Sequence, residues 1–406
     1  MFGDRFRHFL SYGATDQQTV VALANHFDGL LVPGTVAAFQ VEGTGGFVLA
    51  LSAVQQRVHF AIDPRFPLFQ QALRFPKRSH EALADLLGAR ELIRATEPDP
   101  VDFTDELIGR VGAAWAQFNL RYSTVAGAKV KKYANRLGED PDEIVAHAGS
   151  PTAILAPYLM SHSAGDDWWW VSEKLYERTA EAAGDSVSCL RVVAAEHSSV
   201  LADHALTLPD DRIALWVSNL DEILATSLRL AEYGNAIRSI AGAGKQTFAL
   251  YGGFFSVLLH NVGLGGASHG IGYGEQRDWI ELPESGPPPA RYYVPQLHRY
   301  LQPDEATRLL LASRDLAECT CPECNGDPPN TLDYHSLMKH SVHCRAREIE
   351  QWSTIGIPDA TRRLRAETEQ WNETLATSGL PNAIITSARA RAAHLDVWVE
   401  ALSGIG

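Results

Sequence analysis

Eight short apolar runs, several of them separated by helical stretches, constrain this chain more than any other feature of its sequence. They are GLLVPG (29 to 34), FVLALS (47 to 52), VHFAID (58 to 63), AILAPY (153 to 158), LRVVAA (190 to 195), IALWVS (213 to 218), FALYGG (248 to 253) and ASHGIGYG (267 to 274). Most lack the polar alternation of a half-exposed strand, as expected for parallel strands buried on both faces. WVSEKLYERTAEAAG follows the fourth run and DEILATSLRLAEYGNAIRSIAG the sixth, both of helical character. Strands and helices alternating in that number predict a (β/α)₈ TIM barrel over residues 1–315. Residues 53 to 57 are too few for a helix, so the second run reads as part of a hairpin insertion.

The interval from 64 to 152 reads as mostly helical, with an insertion over about 79–150. After the eighth run, ESGPPPARYY (284 to 293) predicts a stiff Pro-rich connection. A short helix, PDEATRLLLASR, then leads to a zinc-binding subdomain over 316–345 and a helical C-terminal region over 346–406, broken around GIPD and SGLPN. The 406 residues suit two or three units, or one barrel with an appendage.

At 45% hydrophobic and 21% charged, the chain has the composition of a folded globular protein. Its 35 Lys and Arg against 49 Asp and Glu give 35 − 49 = −14, which argues against a protein that coats nucleic acid but permits a local basic patch. KVKKYANR (129 to 136) is the one dense patch, read first as a solvated helix face and second as a phosphate contact. The most apolar stretch, 248 to 267, is broken by His260, Asn261 and glycines, so no membrane span is expected. MFGDRFRHF lacks the apolar core of a signal peptide, and the expectation is a cytoplasmic protein.

Cys189 stands alone, whereas Cys319, Cys321, Cys324 and Cys344 cluster. In a reducing compartment such a cluster points to metal rather than disulfides. CTCPEC brings three thiolates together, and a histidine from HSLMKHSVHC completes a tetrahedral Zn²⁺ site. Four protein ligands close the coordination sphere, so the zinc is structural. His335, His340, His343 and Cys344 are all in reach as the fourth ligand.

Asp63 ends a buried strand at its carboxyl end, where barrel enzymes keep catalytic groups, although an Asp there also caps helices. His269, Glu275 and Asp278 lie along or just beyond the eighth run. Trp168, Trp169 and Trp170 fit base stacking or packing equally. GAGKQT (242 to 247) is no phosphate loop: Ser239 replaces its first glycine and Gln246 its magnesium-binding hydroxyl. GLGGASHGIGYGE is not a dinucleotide fingerprint, and its glycines suit a strand closing a barrel beside a ligand.

A barrel followed by Cys-x-Cys-x-x-Cys and a helix-borne histidine resembles the tRNA-guanine transglycosylase superfamily, in a divergent form similar to its DNA-modifying branch. The family's zinc-binding His-Asn-Leu matches His340-Ser341-Val342, which implies His340 as the fourth ligand. Its Thr-Asp-Ser-Gly-Gly-Phe-Gln is similar to Ile62-Asp63-Pro64-Arg65-Phe66 running on to Phe69-Gln70, which implies Asp63 as the proton shuttle. FALYGG resembles its seventh strand, implying Gly252 and Gly253 against the base, with Tyr251 or Phe254 stacked on it. The family's Asp-Cys-Val-Leu-Pro-Thr-Arg corresponds to GIGYGEQR: Arg277 matches the arginine, and Ile271 stands where the nucleophile belongs. The second base-recognising Asp falls near Pro157 or Tyr158, and the base-reading Gln near Ala194.

The resemblance spans residues 29 to 350. It implies exchange of a guanine in tRNA or DNA for a 7-deazaguanine. The base must leave its stack, and a carboxylate must attack the anomeric carbon to give a covalent glycosyl-enzyme. Glu275 is the acidic residue nearest the lost nucleophile position, and His269 joins Tyr251, Gly252 and Gly253 as a substrate contact. The implied partners are nucleic acid and a purine base, with a homodimer or helper subunit as the assembly. Two other functions compete: hydrolysis of free deazaguanine nucleosides, which the acidic charge favours, and a non-catalytic nucleic-acid-binding subunit.

Overall fold

A computed structural model describes residues 1–13, 17–54, 58–147, 149–272, 274–279 and 289–405, apart from the side chains of 54, 125–128, 136 and 145–147. Its centre is a closed parallel barrel. The strands are β1 (Arg7–Ser11), β2 (Gly29–Pro33), β3 (His59–Asp63), β4 (Ala153–Leu155), β5 (Met160–Ser161), β6 (Cys189–Ala195), β7 (Arg212–Val217), β8 (Gln246–Ala249) and β9 (Leu264–His269). They pair in the order β4-β3-β2-β1-β9-β8-β7-β6-β5, and β4 also pairs with β6, which closes the ring. β4 and β5 share one barrel position, since both pair with β6 and the register shifts by one residue between them. The barrel therefore has eight positions, with helices around it.

Alternate side chains fill the two layers that such strands require. Phe9, Leu31, Ala61, Leu155, Val192 and Phe248 pack inside the barrel. Leu10, Leu30, Ile62, Ile154, Val193 and Leu264 face the surrounding helices. Trp115, from the helix Asp105–Leu120, locks that outer layer by donating its indole N–H to the Leu155 carbonyl at 2.7 Å.

Two sequence expectations are corrected. FVLALS is not a strand or part of a hairpin: it lies inside the helix Val41–Val54. Phe47 to Leu51 are all buried, so the helix shows the unbroken apolar run of a strand, an ambiguity that periodicity alone does not resolve. The strand it displaced from the count is β1, RHFLS, whose Arg and His disguise it. There His8 is buried, with its backbone N–H donating to Asp28 Oδ2 at 2.9 Å and its Nδ1 meeting the His26 carbonyl at 3.0 Å. The eighth run is strand only as far as His269. Residues 284–288 of the expected Pro-rich connection lie outside the described residues.

Beyond the barrel, β10 (Tyr292–Val294) and β11 (Arg299–Leu301) form an antiparallel hairpin. The helix Pro303–Ala312 leads to the cysteines, and three long helices follow: Tyr334–Trp352, Ile357–Thr377 and Asn382–Ser403. The last returns to the barrel, where Trp398 donates its indole N–H to the Glu222 carbonyl at 2.6 Å. Among the described residues no helix is long and apolar enough to cross a membrane.

The corrected helix generates a test. A Cβ on Gly46 would stand 2.5 Å from Lys129 Cβ and 2.9 Å from the Lys129 carbonyl carbon, on the helix Tyr122–Leu137. Gly46→Val should therefore destabilise the protein by about 1–3 kcal/mol through overpacking. The urea midpoint should fall at an unchanged m value, whereas an unmoved midpoint would mean that the two helices do not need this close approach.

Candidate functional site

The carboxyl ends of the strands open into a cavity of about 910 Å³, lined by Ser11 of β1, Pro33 of β2 and Tyr251 just after β8, among others. This is the barrel face on which loops meet and substrates bind. Arg65, Tyr251, Glu275, Arg277 and Asp278 all line it, so charges of both signs face the same space.

Asp63 ends β3 directly behind that lining and is 1% exposed. Its Oδ1 accepts from the Tyr158 hydroxyl at 2.8 Å and the Arg65 N–H at 3.0 Å. Its Oδ2 accepts from the Tyr251 hydroxyl at 2.9 Å, with Arg65 Nε at 3.5 Å. Arg277 in turn donates to the Tyr251 oxygen at 3.2 Å. Burial, then the neighbouring Asp63 charge, pushes the Tyr158 hydroxyl well above its ordinary range. Burial also raises Tyr251, while Arg65 pulls the other way.

Glu275 stands on the cavity wall with its Oε1 2.5 Å from Arg345, a buried cation that also donates to Glu348 at 3.0 Å. Burial pushes Glu275 up to about 7, and Arg345 only partly restrains it. Gly253 makes room for this group: a Cβ there would lie 2.7 Å from Glu222 Oε2 and 2.8 Å from Glu275 Oε2. Glu222 accepts from the backbone N–H groups of Gly253, Phe255 and Ser256 and so fixes the turn after β8. Gly252 is close to Ser256 Oγ rather than to the cavity.

Of the residues expected at the site, Tyr251 and Glu275 line the cavity, while Asp63 and Gly253 touch residues that do. His269 does not line it. Its ring lies 4.9 Å from that of His8 and its Nε2 lies 3.3 Å from the Gly253 carbonyl. Burial, with Arg345 and His8 adding to it, holds His269 well below the usual histidine range, so the ring is neutral. Phe254 faces away from the cavity and stacks on His298 at 3.7 Å. Trp169 stacks on His204 at 3.8 Å and Trp168 packs edge-on to Phe103, so two of the three tryptophans are packing residues. In the basic patch, Lys129 pairs with Glu42 at 3.4 Å and Lys131 with Asp142 at 2.6 Å.

Sequence reasoning passed over Arg65, Glu222 and Arg345. Arg65 alone carried a usable signal, since it follows an Asp-Pro at a strand end.

The second candidate centre is the cysteine cluster. Cys319, Cys321, Cys324 and His340 are buried, with one ligand atom of each within 4.8 Å of all the others. Cys321 Sγ is 3.4 Å from Cys324 Sγ and 3.4 Å from His340 Nδ1. His340 Nε2–H donates to the Tyr293 carbonyl at 2.7 Å, which turns Nδ1 toward the sulfurs. That is the outer-shell contact a metal-ligating imidazole needs. Three sulfurs and one nitrogen, dry and convergent, suit a metal ion such as zinc. His343 and His335 point elsewhere, His343 against the His26 ring at 4.2 Å and His335 to Thr19 at 3.0 Å. Cys344 packs beside the cluster, its sulfur 3.6 Å from that of Cys319.

No protein-family model matches the sequence, and no curated protein does. Solved structures with some likeness include a candidate fructose-1,6-biphosphate aldolase from Coccidioides immitis, 8% identical with a TM-score of 0.36, covering 86% of this chain and 90% of that one. A glycosyl hydrolase of the GH3 family from Mycobacterium smegmatis is 14% identical with a TM-score of 0.33, covering 65% and 83%. An endo-beta-1,4-mannanase from Cellulomonas fimi is 10% identical with a TM-score of 0.34, covering 70% and 68%. Likenesses this loose carry no argument about activity.

The cluster makes a direct prediction. Purified protein should carry about one metal ion per chain. Cys321→Ser should lose it, and mild acid should release it from the wild type, because thiolates bind metal only when deprotonated. Metal-free protein whose clustered thiols all titrate freely in the native state would remove the cluster as a metal centre.

Proposed function

We propose that the chain is a transglycosylase that exchanges a guanine base in tRNA or DNA for a 7-deazaguanine. One observation supports this most: two carboxyl groups serve a single cavity at the barrel mouth, Glu275 on its wall and Asp63 one hydroxyl group behind it. Displacement at an anomeric carbon with retention needs such a pair, one to attack and one to manage protons. The resemblance around Asp63 and His340 gives the pair its substrate class.

In this reading Glu275 attacks the anomeric carbon of the flipped nucleotide, and the base leaves with a proton drawn from the Asp63 side of the cavity. The incoming base then displaces Glu275. The ring of Tyr251 borders the base, and Gly253, by lacking a side chain, lets Glu275 reach the wall. His269 buttresses the Gly253 carbonyl. The cluster holds Zn²⁺ as a structural ion, closed by four protein ligands. With two lysines of the basic patch already paired, hydrolysis of a free nucleoside is the competing reading.

Labelled guanine should enter tRNA or duplex DNA when protein and polymer are incubated together. Release of base from free nucleoside, with incorporation into neither polymer, would replace this function with the hydrolase. Glu275→Gln should abolish exchange, since an amide cannot form the ester intermediate. Because the Glu275 carboxyl titrates at about 7, the attacking anion accumulates as pH rises through that value. Below it kcat/KM should climb roughly tenfold per pH unit, and Glu275→Asp should move that limb.

A further inference from the structure

Asp63 has no open path to anything bound in the cavity. It is 1% exposed, and its two oxygens are engaged by the hydroxyls of Tyr158 and Tyr251 and by Arg65. Tyr251 and Arg65 line the cavity, and they stand between it and the carboxylate. Arg65 carries no transferable proton at any working pH. Among the described residues, the Tyr251 hydroxyl is therefore the one group in contact with Asp63 that both lines the cavity and can give up and regain a proton.

Its bonding also suits that role. The hydroxyl donates to Asp63 Oδ2 at 2.9 Å and accepts from Arg277 Nη1 at 3.2 Å, leaving one lone pair of the phenol oxygen for a ligand. Arg277 lies 5.8 Å over the Trp216 ring and 6.0 Å over that of Tyr251, so it is held in place from the barrel interior. Arg65 adopts a left-handed backbone, φ 50° and ψ 36°, and from it the N–H reaches Asp63 Oδ1. A non-glycine residue in that region is strained, as is common where a site must be held.

We propose that the Tyr251 hydroxyl is the catalytic acid and base that touches the substrate, with Asp63 and Arg277 as its positioning residues. The inference rests on the transglycosylase reading and assigns the proton path within it. When the glycosidic bond breaks, its electron pair goes to the base nitrogen, which takes the Tyr251 proton. The Tyr251 oxygen is left a phenolate, charge-paired with the Arg277 guanidinium 3.2 Å away. The incoming base reverses the path. Its N–H proton passes to the Tyr251 phenolate, which restores the hydroxyl and its hydrogen bond to Asp63. The freed nitrogen pair forms the new glycosidic bond as the bond to Glu275 breaks and its carboxylate is restored. Protons and charge return to their starting places over one exchange.

The test combines exchange kinetics with a spectroscopic reading that needs no turnover. Tyr251→Phe and Asp63→Asn should each lower kcat by about 10²–10⁴-fold at little change in KM. The double variant should be no slower than the worse single, because the two residues act as one unit. Full activity in Tyr251→Phe, or losses that multiply in the double variant, would overturn the proposal while leaving the transglycosylase reading intact. Failure of the wild type to exchange any base would refute that reading by itself. The coupling is then judged by NMR of ring-labelled tyrosine, with the Tyr251 signal identified by its loss in Tyr251→Phe. Asp63→Asn should let Tyr251 ionise at lower pH, and Arg277→Gln should delay ionisation to higher pH. A Tyr251 signal indifferent to both substitutions would show that neither residue acts on the hydroxyl, and the proposal would fall.

Discussion

Arg345 is the buried charge around which the barrel mouth and everything after it are arranged. Its side chain is 4% exposed, with Glu275 on one side and Glu348 on the other. Glu348 also accepts from the Tyr293 hydroxyl at 2.9 Å and pairs with His298 at 2.6 Å, and His298 reaches Glu367 at 2.9 Å. Burial opposes a charge on His298, yet Glu348 and Glu367 together hold it above its ordinary range, so both ring nitrogens donate. Removing one partner from such a buried set typically costs about 3–5 kcal/mol, because the others are left desolvated and unpaired. The network joins the loop after β9, the β10–β11 hairpin and two C-terminal helices into one electrostatic object.

Backbone strain falls at the same places. Among the described residues four non-glycines have a positive φ: Arg65, Asn219, His298 and Asn325. Arg65 and Asn219 line the cavity, and the Asn219 N–H donates to the Arg277 carbonyl at 2.9 Å. His298 turns the hairpin so that its ring meets Glu348. Asn325 follows Cys324 in the cysteine cluster, where its N–H returns to the Cys321 carbonyl at 2.9 Å. Each position trades local comfort for an aimed polar group, which is how strain is usually spent in functional loops.

The barrel was legible because seven of its positions read as apolar runs, and parallel strands buried on both faces have few other ways to look. β1 was not, because Arg7 and His8 find partners that a sequence does not display. The helix Val41–Val54 was misread because burial on all sides erases the 3.6-residue period. The Cys319, Cys321, Cys324 and His340 cluster was legible since the spacing of metal ligands is local. The surroundings of Asp63 were not: Tyr158, Tyr251 and Arg277 come from three other parts of the chain, and no spacing rule joins them. Arg345 was invisible for the same reason, lying in RAREIE like any helical surface cation until its partners are known.

One helix, Tyr334–Trp352, supplies both His340 to the sulfur cluster and Arg345 to Glu275. The cluster region is thus no detachable ornament that could be trimmed, swapped or inherited apart from the barrel. A crossover between related genes that fell between Glu275 and Arg345 would pair one parent's carboxylate with another's guanidinium, placed by another's cysteine loop. Chimeras joined upstream of Glu275 keep that set whole. Lineages descended from this chain should therefore exchange their N-terminal strands and helical insertions far more freely than anything between the end of β8 and residue 352.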